Sequence, residues 1–297
     1  MLPMVCIVGV PMSAVAEDGG ASTSTFGVLD GLVLLVAAGS LWWFWRSDLI
    51  RPGSFSRRQP ADKPPMSAGA MLFGLMIAVF VVSAVGVILA VGGEAEPENI
   101  AEAGRRDLFG AIAGTSAAIG AIILAHRLWP IDRFRFSTKG IGTGVLVFAL
   151  VFPITLGATA LVRVLMVGLG RDPGASVAHE KLRLMLDADP GAWLAVIIAV
   201  AALGTPIFEE IIFRGLFQSA MVAVFPGRWP GVLVSTAFFT WLHVGAADPI
   251  SLTSIALLGL ALGLAYEWTG KLLVPITMHA AFNLLNIVLA FALLRGS

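Results

Sequence analysis

The sequence predicts an all-α protein, a polytopic membrane bundle of about eight transmembrane helices, and three observations lead there. Hydrophobic residues make up 58% of the chain and charged residues 13%, against the roughly 45 to 50% and 25% of soluble domains. The mean hydropathy is +0.90, too apolar for a solvated globule. The apolar residues fall into long runs that approach or exceed the roughly 20 needed to cross a hydrocarbon core.

Taken in order, the chain opens with a short apolar stretch, Leu2 to Ala16, ending Ala14-Val15-Ala16 before Glu17-Asp18. That ending resembles a signal-peptide cleavage site, although no Lys or Arg precedes it, so residues 1–16 are read as a candidate signal peptide. Crossings follow near 26–45, 68–92, 108–126, 140–168, 193–217 or beyond, 230–246, 251–268 and 273–294. Trp42, Trp43 and Trp45 ahead of Arg46 form an interfacial aromatic belt. Arg46, Arg51, Arg57, Arg58 and Lys63 follow the first crossing, and Arg127, Arg133, Arg135 and Lys139 follow the third. Both loops are cytoplasmic by the excess of Lys and Arg on that side, which also brings Arg228 and Lys271 inside and leaves the N-terminus outside. The expected location is an integral, multi-pass protein of a prokaryotic cell (inner) membrane.

No internal repeat or long linker divides the chain. Residues 17–139, with about three helices and little polar chemistry, are expected to form a shell around a catalytic membrane core, residues 140–297. Gly110-xxx-Gly114 and Gly259-xxx-Gly263 put small residues on one helical face and allow close packing. The net charge is zero, and no long basic run points to nucleic acid. A single cysteine, Cys6, excludes an intrachain disulfide and cysteine metal clusters.

Chemistry is concentrated in three segments: Phe208-Glu209-Glu210-Ile211-Ile212-Phe213-Arg214-Gly215, Phe239-Thr240-Trp241-Leu242-His243 and His279-Ala280-Ala281-Phe282-Asn283. Ionisable groups inside a bilayer are costly and mark function. Glu210 and Arg214 are i, i+4 neighbours able to pair, whereas Glu209 is rotated about 100° away, so one acid can be structural and the other chemical. His279 and Asn283 share a helical face and can hydrogen-bond one oxygen atom together. His126 and His179, beside Arg127 and in a polar loop, read as structural. If the fifth crossing runs to Phe225 and turns at Pro226-Gly227, Glu209 and His243 lie at matching depth, roughly 25 Å from the turn. His279 is only roughly 12 Å past Lys271, so either the 226–230 turn projects beyond the membrane or the 268–272 turn dips into it.

The series Glu-Glu-xxx-Arg, Phe-xxx-His, His-xxx-Asn resembles the CPBP family, also called Abi or CAAX-protease-like intramembrane proteases, to whose superfamily the Ras-converting CAAX prenyl endopeptidases belong. The resemblance covers roughly residues 190–290, including Pro206, Phe213-Arg214-Gly215, Thr269-Gly270 and Pro275. It assigns Glu209, Glu210, Arg214, His243, His279 and Asn283 to the active site, and implies an eight-helix bundle with an intramembrane catalytic cavity open toward the cytosol.

Two hydrolytic mechanisms fit these residues. In a metal-free version Glu209 is general base on a water that His243 helps to hold, and His279 and Asn283 donate to the oxyanion. In the other, Glu209, His243 and His279 ligate zinc or another divalent metal. The lack of a close His-xxx-His pair favours the metal-free version. His-Glu-xx-His is absent, as is a pair of membrane aspartates. Gly114-Thr115-Ser116-Ala117 reads as a packing face rather than a serine-protease motif. The expected partners are membrane lipid and a peptide or protein substrate, either lipidated or a leader-bearing precursor. A non-catalytic scaffold or immunity-type protein is the alternative, and a proton-coupled transporter a further one.

Overall fold

The computed structural model of the protein describes residues 28–57, 62–91, 99–129, 138–171 and 180–294. The signal-like segment 1–16 and His179 lie outside the described residues. Ten helices follow one another among the described residues: α1 (Val28–Arg46), the short α2 (Ser54–Arg57), α3 (Met66–Val91), α4 (Ile100–Leu128), α5 (Lys139–Gly168), α6 (Glu180–Asp187), α7 (Ala192–Val224), α8 (Trp229–Trp241), α9 (Pro249–Thr269) and α10 (Leu273–Leu294). No β-strand occurs among the described residues. The protein is a polytopic helical bundle.

Each of the eight expected apolar stretches overlaps a helix, although the stretch 230–246 outruns its helix, which ends at Trp241. Six of these, α3, α4, α5, α7, α9 and α10, are long and apolar enough to cross a membrane, and α1 adds a shorter apolar stretch, Gly31–Arg46. Helix α4 begins well before the apolar run because the Asn99 side chain accepts from the Glu102 N–H at 3.0 Å, which satisfies a backbone donor of the first turn. Helix α8 has 13 residues, roughly 20 Å of length, against a hydrocarbon core of about 30 Å. An irregular segment, residues 242–248, continues from it to Asp248. The Asp248 side chain then caps α9 by accepting from the N–H groups of Ile250 and Ser251 at 2.8 and 3.0 Å.

In lipid, apolar contact alone does not drive helices together, so small residues that let backbones approach carry much of the packing. Helices α3 and α4 pack on α7, α5 packs on α9 and α10, and α1 packs on α5. A glycine stands at several of these contacts. A Cβ on Gly114 would lie 2.7 Å from the Phe208 ring, one on Gly144 2.6 Å from Thr277 Cβ, and one on Gly157 2.9 Å from Ala37 Cβ. The first of these contacts seats α4 against α7 one residue before the acidic pair, which gives the small-residue face at 110–114 its use. One end of the bundle is closed by Ala103, Leu182, Met185, Leu194, Ile197 and Ile287. At the other end, Lys63 Nζ donates to the Phe225 carbonyl at 3.0 Å, and the Phe55 ring stacks on Trp268 and tilts against Trp229, with centroids 4.5 and 5.6 Å apart. The segment after α1, the α7–α8 turn and the end of α9 therefore share one end, as their basic residues require.

Leu272 packs beside Gly215, its Cδ1 3.5 Å from where a Cβ would be. The α9–α10 turn thus sits at the level of Gly215, while α7 runs on to Val224 before it turns. The α7–α8 turn thus projects past the α9–α10 turn, an offset that both arrangements open from the sequence share.

That α7–α8 hairpin is tight. A Cβ on Gly231 would stand 2.6 Å from Val222 Cγ2 and 2.7 Å from the Val222 backbone nitrogen. Gly231→Ala should lower the melting temperature in detergent, with a loss of about 1–3 kcal/mol for overpacking. Gly39→Ala, at a position with nothing within 4 Å, should leave it unchanged or raised.

Candidate active site

Helix α7 carries the acidic pair between two stretches of wider coil. Residues Val200–Gly204 and Ile211–Gln218 are π-helical, and Thr205–Glu210 between them is α-helical. Such expansions inside α-helices concentrate at functional sites. A local cause is visible at the first. The Thr205 N–H reaches back five residues to the Val200 carbonyl. The next donor in that register would be residue 206, aimed at Ala201, but Pro206 has no N–H. The Ala201 carbonyl accepts instead from Asn283 Nδ2 at 2.9 Å. A proline four residues before Glu210 and an asparagine on α10 are thus two halves of one backbone account.

Glu210 is paired twice. Its Oε1 accepts from Arg214 Nη1 at 3.1 Å and from His279 Nδ1 at 2.9 Å, so one carboxylate oxygen ties two turns of α7 to α10. Arg214 is the largest fully buried side chain. Its Nη2 donates to the Gly259 carbonyl at 2.9 Å, and its guanidinium lies over the Phe239 ring, 4.7 Å from the centroid. Without such partners a buried guanidinium would cost several kcal/mol.

The histidines follow from what their Nδ1 atoms face. His243 Nδ1 lies 2.8 Å from the Phe239 carbonyl. A carbonyl only accepts, so Nδ1 carries the proton and Nε2 holds the lone pair of the neutral ring. His243 itself sits just past the end of α8, in the irregular segment, where the N–H groups of Ala246 and Ala247 bond back to its carbonyl at 3.2 and 3.1 Å. His279 Nδ1 likewise donates to the Glu210 carboxylate, which turns Nε2 toward Glu209, 3.9 Å from its Oε2. Neither Nε2 makes a hydrogen bond within the protein.

All six residues singled out from the sequence, Glu209, Glu210, Arg214, His243, His279 and Asn283, are 0% exposed, so they lie deep in the bundle rather than on its surface. Contacts link Glu209, Glu210, Arg214 and His279 directly. His243 joins through Phe239, whose centroid is 4.8 Å from His243 and 6.1 Å from His279. Asn283 joins through α7, at Ala201. Among the described residues no three His, Cys, Asp or Glu side chains are grouped as a metal-ligand set, and Glu209, His243 and His279 therefore do not form one in this geometry.

Residues 191–285 match the family described as type II CAAX prenyl endopeptidase Rce1-like. Over that stretch the chain is similar to the Rce1-like family. The chain is also similar to an uncharacterized 24.3 kDa protein of Escherichia coli, 26% identical over 141 residues, which are 46% of this chain and 63% of that protein. The alignment therefore spans less than two thirds of the relative's length. No solved structure matches.

The Rce1-like segment includes all six residues and also several that spacing did not single out. Phe239 serves as the plate for Arg214, and its motif position was visible without this use. The carbonyls of Gly259 and Ala201 act as acceptors, which no side chain announces. Gln218 extends the polar face of α7 by one more i, i+4 step, donating to the Gly263 carbonyl at 3.0 Å and to Glu267 Oε1 at 2.9 Å. The Gly259-xxx-Gly263 pair, expected only to permit close packing, also presents its carbonyls to α7.

Arg214→Ala should leave Glu210 without its guanidinium partner, with His279 alone against it, and destabilise the protein by about 3–5 kcal/mol, read as a lowered melting temperature in detergent. An unchanged melting temperature would remove Arg214 from this role. Asn283→Ala should cost about 1–3 kcal/mol by leaving the Ala201 carbonyl unpaired. In a Pro206→Ala background, where the restored N–H can donate to that carbonyl, the same change should cost less, and equal costs in a double-mutant cycle would refute the coupling.

Proposed function

We propose that the chain is an intramembrane endopeptidase that hydrolyses a peptide bond with water activated by Glu209. The observation that carries this reading is the division of the acidic pair. Glu210 is committed to Arg214 and to His279 Nδ1, while Glu209 faces His279 Nε2 across 3.9 Å, a gap that a single water spans. Similarity of residues 191–285 to an endopeptidase family supports it.

In this mechanism the Glu209 carboxylate takes a proton from water as the water oxygen bonds to the scissile carbonyl carbon. His243 Nε2 orients the water by accepting its other hydrogen. The carbonyl electron pair moves to oxygen, and the oxyanion receives hydrogen bonds from His279 Nε2–H and from the Asn283 amide, donors fixed before the reaction begins. Donation from Nε2 requires the doubly protonated His279 ring, whose positive charge faces Glu210. The C–N bond then breaks as the proton on Glu209 passes to the leaving nitrogen. The non-helical backbone at 242–248 supports water access, since irregular backbone at membrane depth is tolerated where it is packed in protein or lines an aqueous cavity.

The mechanism is metal-free, and Glu209, His243 and His279 would be the ligands of a zinc or other divalent ion were it otherwise. The substrate is a membrane-proximal peptide segment, either lipidated at its C-terminus or part of a leader-bearing precursor. The basic loops face the cytosol and the N-terminus lies outside, in a prokaryotic cell membrane.

Cleavage by the purified chain should vanish with Glu209→Gln. His279→Ala and Asn283→Ala should each lower kcat by roughly 10²-fold or more at little change in KM, as donors used in the transition state do. Comparative N- and C-terminal proteomics of membranes with wild type and Glu209→Gln would expose the substrate. Stoichiometric metal in wild type that disappears in both His243→Ala and His279→Ala would overturn the metal-free mechanism, and cleavage that survives Glu209→Gln would overturn the role of Glu209.

A further inference from the structure

Below the site, toward the end of the bundle that carries the α7–α8 turn, lies a second buried charge cluster. Glu267 on α9 is 0% exposed. Its Oε1 accepts from Gln218 Nε2 at 2.9 Å and its Oε2 from Arg228 Nη1 at 2.6 Å. We infer that Glu267 is a positioning residue for the site, setting the register of α7 against α9 and fixing the start of α8. The inference rests on the reading of Glu209, His243 and His279 as the reacting groups.

The geometry is a ladder. Glu210, Arg214 and Gln218 stand at i, i+4 steps on α7, and Gly259, Gly263 and Glu267 at the same steps on α9. Arg214 bonds the Gly259 carbonyl and Gln218 the Gly263 carbonyl, at 2.9 and 3.0 Å. A glycine face is smooth, and carbonyls one turn apart are alike as acceptors, so these two rungs alone admit a slip of one turn. Glu267 removes that degeneracy, because it is the only carboxylate on this face of α9 and both of its oxygens are engaged across the interface. The register so fixed decides which carbonyl meets Arg214, and through Arg214 where Glu210 holds His279. Arg228 lies at the entry of α8, whose far end delivers His243, so the same carboxylate reaches both histidines by separate routes.

The pair is shielded from solvent. Arg228 is 12% exposed at its side chain and Glu267 0%. The rings that follow them in sequence, Trp229 and Trp268, both pack on Phe55. In such surroundings an ion pair is costly to form and costly to break, and the best-attested use of one is to specify a single arrangement.

The test reads the full chain in detergent micelles with 15N-labelled histidines, the His243 and His279 signals being assigned by His243→Gln and His279→Gln. Glu267→Gln should displace both signals. The charge swap Arg228→Glu with Glu267→Arg should return them, since a guanidinium at position 267 can donate both to the introduced carboxylate and to the Gln218 side-chain oxygen, which makes no hydrogen bond. Arg228→Gln, which leaves the Gln218 rung in place, should displace His243 and leave His279. Glu267→Gln that lowers the melting temperature with both signals unmoved would reduce Glu267 to a stabilising residue and overturn the inference. If Glu267→Gln does not fold, an unmoved His243 signal in Arg228→Gln overturns it instead. These signals need no substrate, so a chain that cuts nothing can still pass or fail, whereas loss of cleavage in Glu209→Gln tests the peptidase reading alone.

Discussion

One carboxylate oxygen, Glu210 Oε1, receives both Arg214 and His279, and the geometry of the site depends on that convergence. In a low-dielectric interior neither the guanidinium nor the carboxylate can be left alone, since an unpaired buried charge costs several kcal/mol. Pairing within one helix would satisfy the charges but would place nothing else. The addition of His279 draws α10 onto α7, and the second arm of Arg214 draws in α9 through the Gly259 carbonyl. Phe239 under the guanidinium brings α8. Four helices are thereby fixed around the acidic pair.

The bilayer adds a constraint that a soluble enzyme does not face, because each backbone donor and acceptor at membrane depth needs a partner within the protein. Pro206 and the wide coil before it would leave the Ala201 carbonyl unpaired, and Asn283 accepts that duty. The short α8 leaves a non-helical segment, and its turns close on the His243 carbonyl. In both places the irregularity lies beside a site residue.

The helices before α7 add no side chain to the contacts described among the six residues. Their glycines set distances instead. Gly114 lets α4 reach Phe208, next to Glu209, and Gly144 lets α5 reach Thr277, two residues before His279. These approaches press α4 on α7 and α5 on α10.

The sequence by itself determined the helical class and the apolar stretches and picked out six polar residues that prove to be buried, because hydropathy and i, i+4 spacing are local properties that the helix period converts directly into faces. The pairing of Glu210 with Arg214 and the separation of Glu209 from it were legible for that reason, as was the shared face of His279 and Asn283. What only the tertiary structure decided are the contacts between helices. That His279 turns Nδ1 to Glu210 and Nε2 to Glu209, that Asn283 serves Ala201, and that Glu267 meets both Gln218 and Arg228 follow from the register of one helix against another. Backbone carbonyls are the commonest acceptors in those contacts, and a carbonyl is the same at every position of the chain. The offset between the α7–α8 and α9–α10 turns belonged to the same class of question. It rests on Leu272 packing against a glycine on α7, a match of shapes between segments far apart in sequence, which no local pattern encodes.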